Sequence, residues 1–130
     1  MAEDAELKEK LTDKSILFDY DVAILTPEEI SINWYYFPFG PRKRVKLEDI
    51  VSVEMRTIEE IGFWNLKTWG MGIDMSVWWH CDTERHLSRK NAIIINQGHY
   101  PDIGITMNDH QLLQLYTLLR KCLNDANNRS

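Results

Sequence analysis

The stretch 103-IGITMNDHQLLQLYTLLRKCL-123 decides the fold, because its hydrophobic period changes in mid-course. Ile103, Ile105 and Met107 recur every second residue, the repeat of a strand with one buried face. Asn108 or Asp109 can then cap a helix by accepting a hydrogen bond from an N–H of its first turn. Beyond them Leu112, Leu115, Tyr116, Leu119 and Leu123 recur at helical spacing, and Leu113, Leu118 and Cys122 widen the stripe. Arg120 and Lys121 fall in the final turns, where cations suit the helix dipole. The chain therefore ends in an amphipathic helix that needs a sheet to cover its leucines.

Working back from that helix, the period is two almost everywhere. Residues 102–107 form one expected strand, and 90–96, with the run Ala92-Ile93-Ile94-Ile95, forms another. Strand 74–81 is expected to turn Met75, Val77, Trp79 and Cys81 one way and Trp78 and His80 the other. Near the start, 21-DVAILT-26 and 30-ISINWY-35 read as a hairpin around Pro27-Glu28-Glu29, with Ile30, Ile32, Trp34 and Tyr36 on one face. Phe37-Pro38-Phe39-Gly40-Pro41 reverses the chain. Strands at about 42–47 and 51–58 follow, joined by a tight turn that seats Leu47 and Ile50 on the core. Residues 59–73 lose the period while holding three glycines and the aromatics Phe63, Trp64 and Trp69. That connection exceeds the usual length of about 4–6 residues, so it is packed, functional or an interface.

The bulk properties bound the rest. A chain of 130 residues with 44% hydrophobic and 27% charged residues is expected to be one globular domain with a real core. A net charge of −5 argues against non-specific nucleic-acid binding. No apolar run approaches the roughly 20 residues of a membrane-spanning helix, and the acidic N-terminus lacks the form of a secretory signal. The two cysteines do not suggest a disulfide scaffold, so a cytoplasmic setting with reduced thiols is the expectation. Residues 1–15 read as a flexible segment, 16–124 as the domain and 125–130 as a disordered tail.

About seven antiparallel strands followed by one helix is a mainly β architecture, and closing it into a small barrel stoppered by the helix would protect its edges. That order resembles the pleckstrin-homology-like (PH-like) fold. The segment YFPFGPRKRVKLEDIVSVE is similar to the pattern of bacterial PH-like domains, with Val45, Leu47, Ile50 and Val53 at its apolar positions. The stretch 66-LKTWGMGID-74 is similar to that family's approach to its fifth strand, and 103–123 to its last strand and closing helix. The resemblance covers roughly residues 18–124. It implies a module that binds lipid headgroups, peptides, other proteins or itself, and it brings no catalytic residues.

Three groups of residues are candidates for function. Phe63, Trp64, Trp69 and Trp78 form the expected interaction surface, for a protein partner or a second copy of the chain in a homo-oligomer. Arg42, Arg44 and Lys46 are expected on one outward strand face, where they could meet an anionic lipid surface or remain a solvated face. Phosphoinositide-binding PH domains carry cations at the first strand-to-strand loop, whereas this chain has Thr26-Pro27-Glu28-Glu29 there. His80, Cys81 and His86 are metal-ligand types, but neighbours on a strand point to opposite faces, so no metal is expected. No nucleophile elbow, phosphate loop or zinc-protease motif is present. The expectation is a non-catalytic binding module without a cofactor; a small-ligand carrier or an enzyme is the remaining alternative.

Overall fold

The structure is a computed structural model and describes residues 16–38, 40–62, 65–73 and 75–128. Among the described residues the chain forms nine strands and a long C-terminal helix, so the mainly β expectation holds. Strands β1 (Phe18–Tyr20), β2 (Ala23–Leu25), β3 (Glu29–Ile32) and β4 (Lys43–Lys46) make an antiparallel meander in that order. A 3-10 turn, Leu47–Asp49, leads to β5 (Ser52–Thr57) and the single helical turn α1 (Ile58–Ile61). Then come β6 (Gly70–Met71), β7 (Val77–Trp79), β8 (Asn91–Asn96), β9 (Asp102–Ile105) and α2 (Asp109–Asn128). The second sheet has the order β5-β8-β9-β7-β6, with β7 parallel to β9. The fully antiparallel arrangement expected from the sequence thus fails at one pair. Among the described residues the two sheets share no strand pairing and stay open rather than closing into a barrel.

One core lies between the sheets and the helix. Ala23, Leu25, Ile30, Ile32 and Val45 come from the first sheet, Val53, Ile93, Ile95, Ile103 and Ile105 from the second, and Leu112, Leu115 and Leu119 from α2. Helix α2 lies against β8, the 3-10 turn and β1. Asn108 caps it, its Oδ1 accepting from the His110 N–H at 3.1 Å. Asp109 serves the junction differently: its carboxylate accepts from the Lys90 and Asn91 N–H groups at 3.1 Å, tying the helix start to β8. Leu47 is buried and Ile50 packs beside it, as the tight-turn reading requires. The helix runs to Asn128, so residues 125–128 are helical rather than a disordered tail.

The second sheet is covered on both faces, which explains why β8 is apolar without alternation. Its register places Val53, Ile93, Ile95, Ile103 and Ile105 on the inner face. Ala92 and Ile94 point outward, where Leu66 and Trp79 bury them with Ile58, Ile61 and Val77 alongside. The connection after β5 therefore folds over the outer face as a cover. Gly104 lies opposite Trp79 in the β7–β9 register, and a Cβ there would run into the indole ring. The glycine is what lets the indole of Trp79, from the neighbouring strand β7, lie against β9.

Among the described residues no helix is long and apolar enough to cross a membrane. Residues 1–15 lie outside the described residues, and so does the expectation made for them.

Candidate functional site

Strand β3 ends at Ile32, earlier than the alternation suggests, and Asn33–Pro38 turn instead of extending. Trp34 adopts a left-handed φ of 61°, unusual for a bulky residue. The turn is fixed from the other sheet. The Cys81 N–H donates to the Trp34 carbonyl at 2.8 Å, and the Trp78 indole N–H donates to the Tyr35 carbonyl at 2.8 Å. Tyr35 is buried, and burial, with Tyr36 and Asp102 nearby, pushes its phenol well above the usual range.

This fixed turn presents an aromatic row. The Trp34 and Phe37 rings lie 5.9 Å apart between centroids, and Phe37 and Trp69 lie 4.9 Å apart, both pairs tilted. Trp34 is 49% exposed and Trp69 48%, so the row is a surface and not part of the core. Trp69 thus stands where a displayed aromatic was expected. Trp78 does not: it packs against the inner core and the Tyr35 ring at 6.2 Å, while Trp79 is the fully buried one. Of the expected strand 74–81 only Val77–Trp79 is a strand, and there the alternation holds with both faces covered; Met75 precedes it at a left-handed φ of 60° and is exposed. Phe63 and Trp64 lie outside the described residues.

Beside the row lies a cleft of about 360 Å³, lined by Asp21, Val22, Trp34, Phe37, His80, Cys81, Asp82, Thr83, Glu84 and Arg89. Its floor is a closed polar network. His80 is buried, with Nδ1 3.0 Å from the Cys81 carbonyl and Nε2 2.9 Å from the Thr106 carbonyl and 3.0 Å from the Thr106 nitrogen. Burial, and then the Arg85 charge, press the His80 pKa down to about 4 against the opposing Asp82. Thr106 Oγ1 accepts from Arg85 Nε at 3.1 Å and donates to Asp82 Oδ2 at 2.5 Å, and Arg89 Nε donates to the same oxygen at 3.1 Å. Burial would raise the Asp82 carboxyl, but the hydrogen bonds from Arg89, Thr106 and the Glu84 N–H outweigh it and leave it below its usual value.

Arg85 is the least expected member, a fully buried arginine in the polar-looking stretch 82-DTERHLS-88. Its guanidinium donates to the carbonyls of Lys67, of Thr68 at 3.1 Å and of His80 at 2.6 Å, and lies 4.8 Å over the Trp79 ring. It thereby staples the covering segment to the second sheet. Burial lowers its pKa to about 10, which leaves it charged at neutral pH. At the rim, burial and the neighbouring Asp82 raise the Asp21 carboxyl, with Arg89 opposing. Burial likewise raises the Cys81 thiol, Arg85 opposing and Asp82 adding to it.

The basic run divides. Val45 and Leu47 are buried, and Arg44 and Lys46 point outward as expected. Arg44 pairs with Glu29 at 2.8 Å, an exposed contact of small energetic weight. Arg42 does not join the outward face: its Nε donates to Ser31 Oγ at 2.9 Å and a terminal nitrogen donates to the Val22 carbonyl at 3.1 Å. It braces the first sheet, because Ser31 and Val22 offer acceptors where the strand leaves the turn. Lys43 lies 5.8 Å over the Tyr35 ring. Among the described residues no group of three or more His, Cys, Asp or Glu side chains could hold a metal ion, and Cys81 and Cys122 form no disulfide.

Compared with known proteins, the chain matches no family, no curated relative and no solved structure.

Proposed function

We propose that the chain is a non-catalytic binding module of PH-like type that holds a segment of another protein on the row Trp34–Phe37–Trp69. The exposure of that row carries the reading: two tryptophans about half open to water, joined through Phe37, on a turn fixed by hydrogen bonds from the opposite sheet. Large aromatics at interfaces act as anchors, and a wall already ordered before binding loses little conformational freedom when a partner arrives. The order of a four-stranded meander, a second sheet and a closing helix supports the PH-like kinship, with the open sheets and the parallel β7 as departures from it.

The chemistry of the cleft supports binding over catalysis. Both ring nitrogens of His80 are engaged by backbone, burial disfavours the Cys81 thiolate, and Asp82 is saturated with donors and held ionised. None of the three is poised near neutral pH to exchange a proton.

Panning a phage-displayed random peptide library on the immobilised protein tests the proposal. Peptides that bind the native chain and are lost on Trp34→Ala and Trp69→Ala are the expected result. No enrichment, or peptides indifferent to both substitutions, would overturn it. Concentration-dependent dimerisation abolished by the same substitutions would replace the foreign segment with a second copy of the chain.

A further inference from the structure

The aromatic row forms one wall of the cleft, and the opposite character of the remaining lining says what the cleft accepts. Asp21, Asp82 and Glu84 bring three carboxylates to it and Arg89 one guanidinium, while His80 on the floor is neutral. Arg89 is committed to Asp82, at 3.1 and 3.5 Å, and Asp82 also receives Thr106. Among the described residues no ion pair reaches Asp21 or Glu84. The cleft thus has two carboxylates with no ion pair among the described residues, Asp21 and Glu84, the latter accepting only the Ser88 hydroxyl at 3.1 Å, on the same lining as Trp34 and Phe37.

We infer that this cleft takes the guanidinium of an arginine on the partner segment, stacked on Trp34 and paired with Asp21 and Glu84. The inference rests on the binding reading above and names the chemistry of what is bound. A guanidinium is planar, weakly hydrated and able both to stack on an indole and to give paired hydrogen bonds to a carboxylate. The volume of about 360 Å³ lies at the small end of ligand sites and suits one side chain rather than a whole peptide. The remainder of the segment would then lie along Phe37 and Trp69. Asp21 sits at a left-handed φ of 52° in the turn between β1 and β2, so its carboxylate is carried on a short fixed turn.

Nα-acetyl-L-arginine methylamide is the probe, titrated into 15N-labelled protein. Its citrulline analogue keeps the shape and lacks the charge. Saturable shifts of the Trp34 indole N–H and of the Asp21, Cys81 and Glu84 amides are expected from the arginine probe and not from citrulline. Asp21→Asn and, independently, Glu84→Gln should each weaken binding about tenfold. Equal shifts from citrulline, no shifts at all, or indifference to both substitutions would overturn the inference. Row-dependent peptides without any cation, together with silence to the arginine probe, would remove the cleft and leave the aromatic row standing.

Discussion

The Cys81 N–H donates to the Trp34 carbonyl at 2.8 Å and so joins the end of β7 to the turn after β3. The aromatic wall comes from the first sheet and the polar floor from the second, and this bond sets one against the other. Trp34 holds its position with a left-handed φ of 61° that glycine would adopt without strain. A half-exposed tryptophan in such a conformation contributes little to folding. Trp34→Gly should therefore shift the urea-unfolding free energy by less than about 1 kcal/mol, because relief of strain offsets the lost contact with Phe37. A loss above about 2 kcal/mol would make Trp34 a structural residue.

The Trp79–Gly104 fit is the opposite case. Gly104→Ala puts a methyl group into the indole, and overpacking of this kind costs about 1–3 kcal/mol. Trp79→Phe should also destabilise, since the Asn65 carbonyl loses the indole N–H that it accepts at 3.0 Å. Equilibrium denaturation in urea measures both. A neutral Gly104→Ala would contradict a close fit of the Trp79 ring on β9.

Arg85 separates charge from geometry. Arg85→Lys keeps the charge and loses the planar fork that reaches Thr106 Oγ1 and the carbonyls of Lys67, Thr68 and His80 together. Leaving buried acceptors unmatched should lower stability by more than about 2 kcal/mol. Hydrogen exchange should quicken first in residues 65–72, the segment that the guanidinium pins. Native-like exchange there in the lysine variant would contradict the stapling role.

His80 predicts an acid dependence with a definite sign. Its folded pKa is lowered to about 4 from an ordinary value of 6.5. Between these values the unfolded chain binds the proton and the folded chain does not, so stability falls as pH drops below about 6.5 and continues to fall toward 4. Above pH 7 this term is flat. Denaturation at pH 7.5, 5.5 and 4.5 should show the decline in the wild type and a shallower one in His80→Gln. Parallel curves for the two proteins would show that His80 does not carry it.

Much of the fold is legible locally. The leucines of α2 and the Ile93–Ile95 run announce their elements because their spacing reflects which side is dry. The β2–β3 hairpin is legible through its turn, where Thr26 Oγ1 accepts from the Glu29 N–H at 3.2 Å. The site is less so. Nothing near Trp34 says that alternation stops at Ile32, since the strain there is stabilised by groups from β7 and beyond. Alternation places Val77 and Trp79 opposite Trp78 but does not say which face carries the main core, so Trp78 packs inward instead of being displayed. Arg85 sits among polar neighbours, and its burial follows from carbonyls that only the folded covering segment brings to it. Asp21 and Glu84 meet Trp34 through tertiary structure alone.

The aromatic row is the centre of the account, and the double variant Trp34→Ala/Trp69→Ala tests it most directly. Peptides selected on the native protein are titrated against both proteins while unfolding in urea is followed in parallel. The double variant should bind at least about tenfold more weakly, with an unfolding free energy within about 1 kcal/mol of the native chain. Undiminished binding by a fully folded double variant would contradict the binding role of the row.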